Sequence, residues 1–432
     1  MKLRTRAKYA LLEHMVQPVV VRALTGMERL RTGVTYNPLD KRYQSDPYPL
    51  YRELRERDPF HRSRLAGGWV LTRYDDVASV LKDGRFLADD RKSAAQMKQR
   101  QRFIKDGFME PDEALSPSML RSDPPDHTRL RGLVSKAFTP RTIESLRPRI
   151  EAIVQEQLDA VAHDGSMDVI KTLAYPLPVM VIAEMLGVPT EDREQFKRWS
   201  DDAVASFGVA GMKDFLRARD AFRELQAYFE RVAEERRREP REDLLSALLA
   251  AEEQGDKLTM DEVYATCILL LVAGNETTTN LIGNGLLALL RHPDQLALLR
   301  DDPALIESAV EELLRYDSPV QATSRIVLED VAMDGHTIEA GQQAIVLIGA
   351  ANRDPERFPD PDRLNITRQD NRHLSFGQGI HSCLGAPLAR LESQAALMAL
   401  VERFPHLRLA TDQPTYGENL ILRGLTSLPV AF

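Results

Sequence analysis

The amino-acid sequence predicts a mainly α protein with small β-sheets, organised as one large α+β domain around a long central helix. Three observations carry that expectation. From residue 140 onward most segments repeat apolar side chains at helical spacing. One of them, residues 259–290, is apolar on nearly every side, and strand-like runs are few and short.

Taken in order, residues 142–161 space Ile143, Leu146, Ile150, Ile153, Leu158 and Val161 among charges, which predicts a single helix. Thr259-Met260-Asp261-Glu262 matches the capping-box pattern, with Thr259 as cap and Glu262 reaching back. The helix it opens is expected to reach Leu290, just before His292-Pro293, about 30 residues or ~45 Å at the helical rise. A helix so long without a polar face belongs at the centre of a large helical protein. After Cys383, a stripe of Leu388, Leu391, Ala395, Met398 and Val401 predicts a further helix ending at Pro405, with Pro387 in its first turn. Strands are expected at Trp69–Thr72, Arg325–Val327, Ala344–Ile348 and Leu428–Val430.

A length of 432 residues suggests two or three domains. No repeat, low-complexity tract or Gly/Ser linker marks a boundary, so the expectation is a basic extension over residues 1–35 and one domain over 36–432. At 43% hydrophobic and 28% charged the composition is that of a globular protein. The net charge of −8 argues against nucleic acid as partner, which would need a basic face. Two cysteines, Cys267 and Cys383, exclude a disulfide scaffold and a tetrathiolate zinc site, and fit a reducing, cytoplasmic compartment. The most apolar stretch, Cys267–Gly274, is eight residues long, whereas a membrane span needs about 20. Residues 1–33 carry seven basic side chains against Glu13 and Glu28, a net of +5. A basic membrane-surface contact and an extension packed on the domain or left mobile both fit; Pro18, expected to interrupt an amphipathic helix, favours the second.

Residues 376–385 read Phe-Gly-Gln-Gly-Ile-His-Ser-Cys-Leu-Gly. Cys383 stands at a helix N-terminus, where free N–H groups and the dipole stabilise a thiolate. Gly377, Gly379 and Gly385 are expected to let the backbone approach the sulfur or a flat ligand. A lone cysteine is more commonly a small buried hydrophobe. A nucleophile with His381 as its base is a further alternative, though two residues apart on a loop their side chains need not meet. The pattern F-x-x-G-x-H-x-C-x-G resembles the haem-binding loop of the cytochrome P450 family. Five fixed positions at ~5% each recur by chance about once in ten thousand chains of this length. The resemblance implies that Cys383 is the axial thiolate of a haem iron, with Phe376, Gly377, His381 and Gly385 shaping the loop.

Three further motifs follow the same family in the expected order, and the resemblance covers residues 36–432. Ala273-Gly274-Asn275-Glu276-Thr277 lies on the long helix; Glu and Thr there are costly unless hydrogen-bonded or facing solvent. It resembles the family's acid–alcohol pair, implying that Gly274 leaves room for dioxygen, Glu276 feeds protons inward and Thr277 holds the delivering water. Glu312-Leu313-Leu314-Arg315 alone reads as a surface ion pair worth well under 1 kcal/mol. In the family it is buried beneath the cysteine loop with a second arginine, for which Arg363, rather than Arg357, is the expected partner. In Asp123–Arg131, His127 and Arg131 share a helix face, by themselves a solvated pair. The resemblance makes them haem-propionate ligands together with Arg325 and His381.

The implied protein is a haem-thiolate monooxygenase with haem b (iron protoporphyrin IX) and O2, hydroxylating a small to medium hydrophobic substrate. A peroxygenase or non-oxygenating enzyme on the same triangular fold is the alternative, against which the intact Glu276-Thr277 pair weighs. With no dinucleotide fingerprint in the chain, electrons are expected from a separate 2Fe-2S or similar ferredoxin. Arg129, Arg131, Lys136, Arg141, Arg147 and Arg149 stand against Glu144 alone, a docking patch or a solvated face. Position suggests a pocket of Leu269, Val272, Ala273, Val320, Thr323, Ile421 and Leu422, with residues 88–117 resembling a substrate-entry loop.

Overall fold

The computed structural model describes residues 17–109, 118–204, 212–253, 258–419 and 421–432. Helices dominate, and the longest, Met260–Arg291, forms the axis on which the others pack. Its start is the expected capping box: the Thr259 hydroxyl accepts from the Glu262 amide, and the Glu262 carboxylate accepts from the Thr259 amide at 2.9 Å. Twenty-one of its 32 residues are buried, as an all-round apolar sequence requires. Helices Pro176–Met185, Met212–Arg238, Ile306–Tyr316 and Ala386–Arg403 cover it. Gly283 and Gly285 make that packing possible; a Cβ on Gly283 would stand 2.6 Å from Ile170. Among the described residues no helix is long and apolar enough to cross a membrane.

The main sheet has five strands, ordered Phe60–Ser63, Gly68–Leu71, Gln343–Leu347, Ala322–Val327 and Phe86–Leu87. All pairs are antiparallel except Gly68–Leu71 with Gln343–Leu347, where Gly68 lies so close to Gln343 that a Cβ would meet its carbonyl at 2.4 Å. A three-stranded sheet joins Ser166–Asp168, Pro429–Ala431 and Arg408–Leu409. The four strands expected from the sequence are present, three within a residue and the one at Arg325–Val327 beginning three residues earlier, at Ala322; two-residue strands such as Phe86–Leu87 are too short to show a period.

One expectation needs correction. Residues 142–161 form two helices, Pro140–Ser145 and Arg147–Asp159, because Pro148 has no N–H to continue the first and sits instead in the opening turn of the second. Pro18 lies in the helix Gln17–Thr32; the residues before Gln17, on which its effect depends, lie outside the described residues.

That helix is fastened to the domain by Glu28, which is 4% exposed. Its Oε1 accepts from the amides of Arg64 and Leu65 and the hydroxyl of Ser63, and its Oε2 lies 3.3 Å from His61 Nε2. The other ring nitrogen of His61 is 2.7 Å from Asp58. Burial alone would discharge the ring, but the two carboxylates outweigh it and push its pKa up to about 9. A folded pKa above the unfolded value contributes stability that is complete below about 6.5 and lost as pH rises through about 9. Thermal unfolding between pH 7 and 10 is therefore expected to show a downward slope that His61→Gln flattens; an equal slope in both proteins would refute the pairing.

Candidate active site

The cysteine loop is folded by its own backbone. The Cys383 amide donates to the Phe376 carbonyl at 2.8 Å, and the Gly377 amide to Leu374 at 2.8 Å. Gly377 and Gly379 both sit at positive φ, and a Cβ on Gly379 would stand 2.5 Å from the Leu81 carbonyl, so the loop lies flush on the helix Tyr74–Lys82. Gly385 is different: its φ is −82° and a Cβ would touch nothing of the polypeptide within 4 Å, so no close backbone approach requires it. The side chain of Cys383 is accessible although protein surrounds the thiol on most sides. Burial pushes its thiol up, opposed by hydrogen bonds from the Gly385 and Ala386 amides and by the charges of Arg131 and Arg390. The amides that open the helix Ala386–Arg403 thus point at the sulfur. Phe376 is held by Arg390, 4.6 Å above its ring, and Arg390 is fixed by two hydrogen bonds to Glu311.

Beside this loop the structure gathers His127, Arg131, Arg325 and His381. The two imidazoles lie 4.2 Å apart, and Arg131 donates to the Ser382 carbonyl at 2.7 Å. His127 is 2% exposed, yet neither ring nitrogen has a hydrogen-bond partner, nor has His381 Nε2. Burial, then the charges of Arg325, His127 and Arg131, push His381 down to about 4; burial and Arg131 lower His127. Arg325 is 9% exposed and also lowered by burial. Four basic side chains that repel one another, two of them imidazoles with unpartnered ring nitrogens, suit an anion such as a pair of carboxylates. Together with the sulfur, this donor set fits a haem with its propionates.

Midway along the central helix Leu269, Ala273, Gly274, Glu276 and Thr277 are accessible and form one stripe; the other accessible positions, Met260, Asp261, Tyr264, Ala265, Leu290 and Arg291, lie toward its ends. Val272 is 3% exposed and packs in the main core, one residue of helical rotation away from the stripe. The Thr277 hydroxyl donates to the Ala273 carbonyl at 2.8 Å, leaving its oxygen free to accept. Burial raises the Glu276 pKa, and the nearby Asp201 carboxylate raises it further. A Cβ on Gly274 would meet only Ile182, at 4.0 Å, so no protein contact demands a glycine there. Val320 and Leu422 form a β-bridge, Ile421 accepts from the Gln321 amide at 2.7 Å, and Thr323 accepts from Arg325 at 3.3 Å, tying the remaining expected pocket residues into one wall. Within residues 88–117, Ala94–Lys105 is helical and Phe108 is fully buried against Phe103; residues 110–117 lie outside the described residues.

Glu312 and Arg315 are both wholly buried and joined by two hydrogen bonds of 2.8 Å. The remaining Arg315 donors reach the carbonyls of Asn352, Pro361 and Arg363. The second arginine is Arg368, 3.1 Å from Glu312, not Arg363, whose side chain is exposed and which gives only its carbonyl. The loop turns between the two, with Asn365 donating its amide to Glu312 at 2.9 Å, and brings the later arginine inward. Arg357 pairs with Asp370 instead.

The basic patch is smaller than its sequence count. Arg129 is bound to Glu262 and Asp126, Arg147 to Glu144, and Arg149 to Glu184 and Glu156. Lys136 and Arg141 are exposed. Sequence reasoning also missed Glu392, a carboxyl on the buried stripe of the helix after Cys383. It is hydrogen-bonded to Thr278, and burial raises it to about 8, so it is neutral at pH 7.

A sulfur addressed by helix-terminal amides, an unpaired basic cluster and an acid–alcohol stripe on a mainly helical fold fit the haem-thiolate oxygenases as a class. Residues 69–428 match the family model described as Cytochrome P450. The chain is 44% identical over 420 residues to cytochrome P450 monooxygenase PikC of Streptomyces venezuelae, covering 94% of this chain and 97% of PikC. Vitamin D(3) 25-hydroxylase of Pseudonocardia autotrophica is 44% identical over 90% of this chain and 94% of its own. Among solved structures, P450BioI in complex with a hexadec-9Z-enoic acid-ligated acyl carrier protein superposes with a TM-score of 0.84 at 42% identity, covering 91% of this chain and 100% of that one. The chain belongs to the cytochrome P450 family and is a haem-dependent monooxygenase.

Proposed function

We propose that the protein hydroxylates a small to medium hydrophobic compound, using O2, haem b held by Cys383, and electrons from a separate ferredoxin, in the cytoplasm. The observation that carries the reading is the sulfur of Cys383 facing the Gly385 and Ala386 amides beside a basic cluster in which neither ring nitrogen of the buried His127 has a hydrogen-bond partner. When bound, the haem supplies oxygen activation, and thiolate ligation favours O–O cleavage. The chain's own residues do the rest. His127, Arg131, Arg325 and His381 orient the propionates by charge-assisted hydrogen bonds. Glu276, whose pKa burial and Asp201 raise, is a proton source on the helix stripe, and Thr277 holds the delivering water through the lone pairs its own bond to Ala273 leaves free. Gly274 keeps that stretch of helix uncluttered for dioxygen. Leu269, Ala273, Val320, Ile421 and Leu422 offer an apolar wall with Thr323 as its polar point, and exclude water from the reacting carbon. The buried Glu312–Arg315–Arg368 group holds the segment 352–371 that leads into the loop carrying Cys383. For the ferredoxin, Lys136 and Arg141 are the charges left to steer an acidic partner. The names of relatives support an apolar substrate, since one acts on vitamin D(3) and another on 6-deoxyerythronolide B.

Replacing Cys383 by Ser tests the reading. The variant, supplied with haem, should lose the thiolate signature of the carbon-monoxide difference spectrum and its turnover with reduced ferredoxin and O2. An unchanged spectrum would remove Cys383 as the ligand; equal turnover on peroxide alone would remove the ferredoxin route.

A further inference from the structure

The helix Gln17–Thr32 has two faces that the domain treats differently. At the helical repeat, Val21, Leu24, Thr25, Glu28 and Thr32 fall within an arc of about 100°. All five are buried or half-buried, with Glu28 as the anchor. The opposite arc, also about 100° wide, holds Val19, Val20, Ala23, Met27 and Leu30, all exposed. Leu30 is 90% exposed and Val19 64%, and this one helix carries four of the nine large apolar side chains exposed among the described residues. Arg31 borders the apolar arc on one side, Arg22 and Arg29 on the other. None of the three enters an ion pair among the described residues, and all are exposed.

We propose that this face is a docking surface for an anionic lipid bilayer. An apolar stripe edged by arginines is what an interfacial helix needs, with side chains seated at the acyl boundary and guanidinium groups among phosphates. The charge distribution matches: residues 1–33 carry a net of +5 in a chain whose total is −8, so an acidic surface attracts this end and repels the rest. Glu28, whose four hydrogen-bonded contacts hold the helix from behind, fixes the stripe outward without any refolding. A second copy fits less well. Pairing the stripe with itself would oppose two sets of arginines, and five side chains on one short helix fall below the roughly 800 Å² per partner of a stable interface.

The test is flotation of the full haem-loaded chain with vesicles of phosphatidylcholine alone or with one-third phosphatidylglycerol. Binding is expected to the anionic vesicles only and to weaken with salt. Leu30→Glu with Met27→Glu should abolish it, and replacing Arg22, Arg29 and Arg31 by Gln should weaken it about fivefold for each charge removed. Because these side chains are exposed, the variants should keep the parent's haem spectrum, which establishes that they fold. Equal binding to both vesicle types, binding that survives Leu30→Glu with Met27→Glu, or no binding at low salt would each overturn the proposal. So would a dimer in solution that Leu30→Glu dissociates, since the face would then belong to a second copy.

Discussion

Glu312→Gln is expected to destabilise the protein by about 3–5 kcal/mol, because it leaves Arg315 charged, fully enclosed and without its partner. Both residues are inaccessible, and Glu312 also accepts from Arg368, Asn365 and Asn371, so the loss is spread over one connected group. Unfolding by urea should show a lower midpoint at an unchanged slope. Arg368→Ala should cost less, about 1–3 kcal/mol, through a weakened hydrogen bond to the same carboxylate. Arg363→Ala should stay within about 0.5 kcal/mol, as for other exposed side chains. If Arg363→Ala proves as costly as Arg368→Ala, the assignment of the third member is wrong.

Glu276→Gln is expected to slow product formation about a hundredfold, the lower end of what a positioned proton donor contributes. Its raised pKa means that the donor form persists to higher pH than an ordinary glutamate's and is lost as pH rises through it. The parent's rate should therefore fall on the alkaline side of that pKa, and the Gln variant should lack this limb. Asp201→Asn removes a like charge near Glu276 and should move the limb to lower pH. Thr277→Ala should keep electron consumption while lowering product formed per electron pair. Full coupling in Thr277→Ala would take the hydroxyl out of the proton path.

The central helix was legible because its cap, its length and its apolar continuity all occur within one stretch of chain. The cysteine loop was legible for the same reason: five fixed residues in ten positions. What failed needed information from elsewhere in the chain. The choice of Arg363 followed a local string, whereas the inward arginine is decided by a turn that Asn365 pins to Glu312. Counting charge between Arg129 and Arg149 could not see Glu262, which lies 133 residues on and occupies Arg129. The break at Pro148 is a different case, since proline in a helical run is a signal the residues do carry.

The pairing of Gly68–Leu71 with Gln343–Leu347 ties the order of biosynthesis to the order of folding. A ribosome delivers the first of these strands long before the second, so a nascent chain holds the hairpin of residues 60–71 with one edge uncovered while some 270 further residues are made. Arrested translation anywhere in that interval would release a fragment whose bare edge invites aggregation.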